Sequence, residues 1–329
     1  MSDASFARPR ITINDLKPIG GMPLLLEIEA DNDALDWAED YQREIRSLIE
    51  INGAVLVRGL NVFGSAQFGT VLSTLFGANL LEYVYRSTPR TELRGNIFTA
   101  TEYPANQVIP QHNENSYSRH WPNRIGFMCI LPAQAGGETP IADCRVVYHM
   151  LSQSLRDKFE EKGVLYVRNY SSLDLPWSVV FQTTDRSEVE AYCRANDLDY
   201  EWFEKDGLRT RQINSATAVH PLTGEKLWFN QAHLFHASNL GKEIAETLLS
   251  SIGEENLPRN SYYGDGSPIE PEALEQIRAA YEQNKISFCW QKNDLLLLDN
   301  MLFAHGRESY KGPRKVLVGM ACPNCYNGG

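Results

Sequence analysis

The chain has 329 residues, 43% of them hydrophobic, enough to fill a sizeable core in one large domain or two. Its net charge of −11 argues against a nucleic-acid partner, which needs a basic face, and against an anionic membrane surface. No apolar run approaches the ~20 residues that span a bilayer, and residues 1–10 lack the apolar stretch of a secretory signal, so a cytoplasmic protein is expected.

In chain order, Asp33 to Ile51 reads as an amphipathic helix, because Trp37, Tyr41, Ile45 and Ile49 recur every four residues and Asn52-Gly53 closes it. Ser65 to Phe76 is a second helix with Phe68, Val71, Leu72 and Leu75 on one face. Arg124 to Leu131 and Thr139 to Asp143 read as strands, and Val146 to Phe159 as a helix. Leu165 to Asn214 is rich in aromatics and charges, with a short helix from Ser187 to Ala195 that a Ser187/Glu190 capping box would start. Inserted between core strands, this stretch is either a lid that excludes water from the site or surface padding. Pro271 to Asn284 opens with proline in the first turn and carries Leu274, Ile277 and Tyr281. Ile286 to Trp290, Leu295 to Asp299 and Lys315 to Ala321 complete the strands. With no internal repeat or linker, residues 1–329 are expected to form a single domain with a lid insertion around 165–214.

Three residues carry the chemistry. A His-x-Glu pair on a strand puts His112 and Glu114 on the same face, since strand side chains alternate. His305, arriving from a distant strand, completes two imidazoles and one carboxylate, the facial triad of non-haem Fe(II) oxygenases with open positions for co-substrate and O2. Around His305 lie a buried strand, Leu295 to Asp299, then Arg307, Gly312-Pro313-Arg314 and the apolar Val316-Leu317-Val318. A cation heading a buried strand needs an anionic partner, and arginine's planar fork suits a carboxylate. His233 and His236 have helical chelating spacing but no carboxylate beside them, so they read as surface or homo-oligomer contacts. The six cysteines read as free thiols; Cys322 and Cys325 lack the second pair that structural zinc requires.

These residues and their flanks resemble the taurine dioxygenase-like (TauD/TfdA) Fe(II)/2-oxoglutarate-dependent oxygenases over nearly the whole chain. Gly53 to Gly59 resembles the first core strand, His112-x-Glu114 the metal motif, and Gly136-Gly137-Glu138-Thr139-Pro140 the segment whose threonine helps hold 2-oxoglutarate. His220 to Gly224 with Leu227 to Asn230 resembles a later hairpin, and Trp290 to Arg314 the closing strand pair. The resemblance implies a double-stranded β-helix (jelly-roll) core flanked by helices, an α+β, mainly β fold. It implies Fe(II) on His112, Glu114 and His305, with 2-oxoglutarate held by Arg314, or by Lys315 in its place, and by Thr139. Asn230 is a further cofactor-side candidate, or it satisfies buried backbone groups. The 113–122 context is similar to the subgroup that hydroxylates amino acids in natural-product pathways, which makes Asn115, Tyr117 and Arg119 the substrate-side candidates.

The family's carboxylate ligand is more often Asp, but Glu keeps the charge and argues against a halogenase, which loses this carboxylate. Arg314 follows His305 by nine positions, and Val318 stands where the taurine enzyme has its sulfonate-binding arginine, which disfavours a sulfonate substrate. The expected activity is hydroxylation of a small polar substrate, an amino acid or derivative, free or carrier-tethered. The rival readings are a cupin-like isomerase or hydrolase that needs no 2-oxoglutarate, and a silent binding protein on the same fold.

Overall fold

The computed structural model describes residues 11–15, 24–28, 33–82, 85, 87, 88, 90–171, 173–203 and 206–326; the segment examined for a signal, 1–10, lies outside them. Leu295–Asp299 is buried at every position because both faces of its sheet are covered. Leu296 and Leu298 point into one core with Leu56, Ile125, Phe127, Val316 and Val318. Leu295 and Leu297 point into another, with Val55, Val57, Met128 and Leu317 against Trp37, Ile45, Ile49, Phe68 and Leu72. The partition follows the two-residue period of each strand, and helices Ala34–Asn52 and Gly64–Phe76 cover the outer face.

That sheet has seven strands in the order Ile11–Asp15, Leu24–Ile28, Ala54–Arg58, Leu295–Asp299, His120–Leu131, Lys315–Cys325, Ile97–Thr99. A second sheet, ordered Lys285–Ile286, Ile141–Asp143, Phe303–Arg307, Ile109–His112, contributes Ile141, Ala142, Phe303 and Ala304 to the inner core. Two sheets around one core form the expected jelly roll. The first helix ends at Gly53, φ 77°, as Asn52-Gly53 suggests, and its start is capped by Asp33, which accepts from the Leu35 and Asp36 amides at 2.8 and 3.2 Å.

Local rules misplace several elements. The helix expected over Val146 to Phe159 is two, Cys144–Met150 and Gln153–Lys162, because Leu151 and Ser152 turn extended between them and Leu151 packs into the core. Asp185, not Ser187, caps the helix Arg186–Ala195, its carboxylate accepting from the Ser187 amide at 2.8 Å. Of the expected 286–290 strand only Ile286 pairs in a ladder, together with Lys285 before it; Trp290 instead donates its indole N–H to Thr139 Oγ1 at 3.1 Å. The last strand runs on to Cys325, so both tail cysteines lie on it as free thiols. The described residues of the stretch expected as a lid or as padding contribute three strands to an antiparallel sheet that Arg259–Tyr263 completes, in the order Asp199–Phe203, Gly207–Asn214, Val164–Tyr170, Arg259–Tyr263. Its Tyr166 and Tyr170 are buried, and the Tyr166 hydroxyl accepts the Gln231 amide at 2.9 Å.

Candidate metal centre

Antiparallel pairing brings the two histidines together. Strand Phe303–Arg307 pairs with Ile109–His112 so that His305 sits opposite His112, with ring centroids 4.6 Å apart. Glu114 reaches them by another route than the expected common strand face. The strand ends at His112, and Glu114 lies in the turn beyond, before Asn115 at φ 58°. Its Oε2 lies 3.8 Å from His305 Nε2, and the three donor atoms lie within 4.8 Å of one another, the only such His/Cys/Asp/Glu cluster among the described residues.

Asn300, at the end of the buried leucine strand, holds that turn. Its Oδ1 accepts the Glu114 amide at 2.8 Å, and its Nδ2 donates to the Glu114 and Pro122 carbonyls at 3.0 and 2.8 Å. Gln231 donates to the Asn113 carbonyl at 2.7 Å, and the His233 ring N–H to the Gln111 carbonyl at 3.1 Å. Sequence reasoning missed Asn300 and Gln231, for neither stands in a motif. Asn300→Ala leaves three buried backbone groups unpaired at about 1–3 kcal/mol each. We expect a loss of roughly 3 kcal/mol or more in unfolding free energy and ten- to a hundred-fold weaker metal binding, read by denaturant titration and metal titration.

The donor set fits a divalent metal. The Pro110 carbonyl, 2.8 Å from His112 Nδ1, can only accept, so the proton sits on Nδ1 and Nε2 is left for a metal. Burial pushes both ligand histidines below the usual imidazole range, His305 the further, with His112 beside it adding to the effect. Both rings are therefore neutral, the ligating form, at and somewhat below pH 6.5. Metal affinity should stay flat from pH 8 down to about 6.5, where exposed histidine sites already lose metal to protons; a Mn(II) titration across that range checks it.

Beside the histidines lies a cavity lined by Arg90, Thr101, Phe127, Thr139, Arg307 and Arg314 with no acidic side chain. Arg314 Nε donates to the Gly137 carbonyl at 2.8 Å, and its Nη2 lies 3.4 Å from Thr139 Oγ1. Gly137 is needed here: it sits at φ 77°, and a Cβ on it would stand 2.9 Å from Arg314 Cδ. Burial, with Arg307 nearby, pushes Arg314 down to about 10, so a carboxylate occupant would relieve it. Lys315 is exposed and lines a surface hollow of about 400 Å³ with Val62, Phe63 and Lys292, away from the ligands.

The other candidates are placed as follows. Asn230 is fully buried and does not line the cavity; its amide donates to Ala216 O at 2.7 Å and accepts from Ala232 N at 3.0 Å. Tyr117 is buried three positions past Glu114, its hydroxyl donating to Tyr85 O at 2.8 Å with Asn115 Oδ1 3.2 Å away. Arg119 faces outward and pairs with Asp197. His233, expected at the surface, is buried against Tyr281 with its pKa down to about 3, while His236 contacts Ser238. Cys129, Cys144 and Cys193 are pushed up to about 12 by burial, so they are poor nucleophiles.

The family model of the taurine catabolism dioxygenase TauD, TfdA family matches residues 15–321. The dapdiamide synthesis protein DdaC of Enterobacter agglomerans is 40% identical over 280 residues, 85% of each chain. A clavaminate synthase-like protein of Arabidopsis thaliana is 32% identical over 286 residues, 83% of each. Among solved structures, PvcB, an Fe, alpha-ketoglutarate dependent oxygenase from an isonitrile synthetic pathway, superposes with a TM-score of 0.54 at 16% identity, covering 98% of this chain and 93% of its own. No helix among the described residues is long and apolar enough to cross a membrane.

Proposed function

The chain belongs to the TauD/TfdA dioxygenase family, and from that premise we propose that it is an Fe(II)/2-oxoglutarate-dependent dioxygenase that hydroxylates an amino acid or amino-acid derivative, free or carrier-tethered, in natural-product synthesis. The observation that carries the reading is the pairing of His112 with His305, beside Glu114, in the lining of a cavity to which Arg90, Arg307 and Arg314 also belong. When bound, the iron and 2-oxoglutarate supply the oxidant: O2 is consumed, 2-oxoglutarate becomes succinate and CO2, and a substrate C–H becomes C–OH.

The protein's own work is placement. His112, Glu114 and His305 would hold the metal, a donor set that suits a non-haem iron centre. Arg314 and Thr139, both in the cavity lining, would take the distal carboxylate of 2-oxoglutarate. The sheet of Val164–Tyr170, Asp199–Phe203, Gly207–Asn214 and Arg259–Tyr263 reaches the metal turn through Tyr170, whose hydroxyl lies 3.5 Å from that of Tyr85, whose ring packs on Tyr117; from there it would cover the substrate side. The amino-acid reading draws on the kinship with a dapdiamide synthesis protein and on Val318, which offers no second cationic clamp.

The test is a substrate panel of amino acids, free and carrier-tethered, together with taurine, scored for one added oxygen per succinate formed. An amino-acid derivative should give near-equal amounts of both. Tightly coupled turnover of taurine alone would remove the substrate class and leave the oxygenase.

A further inference from the structure

Three arginines line the cavity beside the histidines, and they differ in what balances them. Arg90 pairs with Glu114, its Nη2 2.6 Å from Oε2. Arg307 and Arg314 make no ion pair with an acidic side chain among the described residues. Arg307 is nonetheless buried, 5% exposed. Its Nη1 donates to the Tyr103 carbonyl at 2.8 Å, and its Nη2 to the Pro104 and Gln107 carbonyls at 2.7 Å each. The ring of Tyr310 serves both arginines, its centroid 5.2 Å from the Arg307 guanidinium carbon and 5.7 Å from that of Arg314.

Carbonyl dipoles and an aromatic face lower the cost of burying a guanidinium, but they do not cancel its charge. The cavity therefore holds two cations without an acidic partner, Arg307 and Arg314. Arg307 is one reason, after burial, that Arg314 lies below the usual arginine range. An anion placed against Arg314 reverses that repulsion and gains from both charges. The keto acid end of 2-oxoglutarate belongs to the metal, so its distal carboxylate is the charge left for these two arginines. Arg314 meets it by contact. Arg307, whose terminal nitrogens already serve three carbonyls, acts through its field.

We propose that Arg307 sets the co-substrate specificity of the cavity: its charge, held by backbone carbonyls instead of a carboxylate, makes the site select a 2-oxo acid with a second, distal carboxylate over one without it. This rests on the oxygenase reading and deepens it, by dividing recognition of the distal carboxylate between a contacting and a non-contacting arginine.

The experiment uses the full-length protein as wild type, Arg307→Gln and Arg307→Lys. Each is loaded with Mn(II) without oxygen and titrated with 2-oxoglutarate and with 2-oxopentanoate, the same chain ending in a methyl group. Wild type should prefer 2-oxoglutarate by about a hundredfold or more, beyond what one weak charge-assisted pair supplies. Arg307→Gln keeps donors for the loop carbonyls and loses the charge, so that preference should fall by about tenfold, through 2-oxoglutarate alone. Arg307→Lys keeps the charge and should retain most of the preference even where the loop contacts loosen. Equal weakening of both acids in Arg307→Gln would make Arg307 only a support for residues 103–107 and overturn the proposal. An unchanged preference in that variant would overturn it too, and would leave the oxygenase reading intact. Conversely, wild type that shows the preference and loses it in Arg307→Gln, yet forms no succinate with Fe(II) in air, would strike the oxygenase reading and leave the role of Arg307 standing.

Discussion

Replacing His112 or His305 by alanine is expected to abolish metal retention and turnover together. Each supplies one of three donors, and the two rings are direct neighbours across the ladder between Ile109–His112 and Phe303–Arg307. Loss even of outer-shell partners typically costs ten- to a hundred-fold in metal affinity, so loss of a ligand should exceed a hundred-fold. Metal content after desalting and succinate formation read the two effects separately. The fold should survive, because the inner core around these strands is built from Ile141, Phe303, Leu296 and Leu298 and not from the imidazoles. His236→Ala is the control and should leave metal content unchanged, since its ring contacts Ser238 away from the donors. Near-wild-type activity in either ligand variant would refute the site.

Arg314→Ala is expected to weaken 2-oxoglutarate binding by roughly ten- to a hundred-fold. A charge-assisted bidentate pair contributes ~1.5–3 kcal/mol, and a factor of ten corresponds to about 1.4 kcal/mol. Thr139→Val should cost less, as it removes one neutral hydroxyl that the Trp290 indole also uses. Lys315→Ala should leave the affinity unchanged, because Lys315, the first residue of the strand Lys315–Cys325, is exposed, while Arg314, just before that strand, lines the cavity. Equilibrium titration of 2-oxoglutarate into the Mn(II)-loaded protein, without oxygen, ranks the three variants. Arg314→Ala binding as tightly as wild type would remove this residue from the co-substrate site.

The candidate ligand set and the core elements were legible in the sequence because they are local or periodic. Two imidazoles and a carboxylate near a cation-headed strand are a chemical statement that needs no coordinates. The helices at 34–52, 64–76 and 271–283 follow from the spacing of their apolar residues, and the end of the first also from Asn52-Gly53. The all-leucine strand at 295–298 showed that both its faces are buried, though not what buries them.

Tertiary structure decided how the site is made. Glu114 meets the histidines through a turn pinned by Asn300, whose position 186 residues away no local pattern encodes. The pairing of His112 with His305 is a matter of register between strands far apart in the chain. Arg90 came into the site only through the packing of the segment before the strand Ile97–Thr99, for an arginine in an unpatterned stretch has no sequence signature. Asn230 and Arg119 show the converse. Their residue types suit a polar site, yet buried backbone groups claim the one and a surface ion pair the other. Residue type and spacing specified which chemistry the chain carries. Long-range pairing and the hydrogen bonding of buried polar groups determined how those residues meet and which other residues join them.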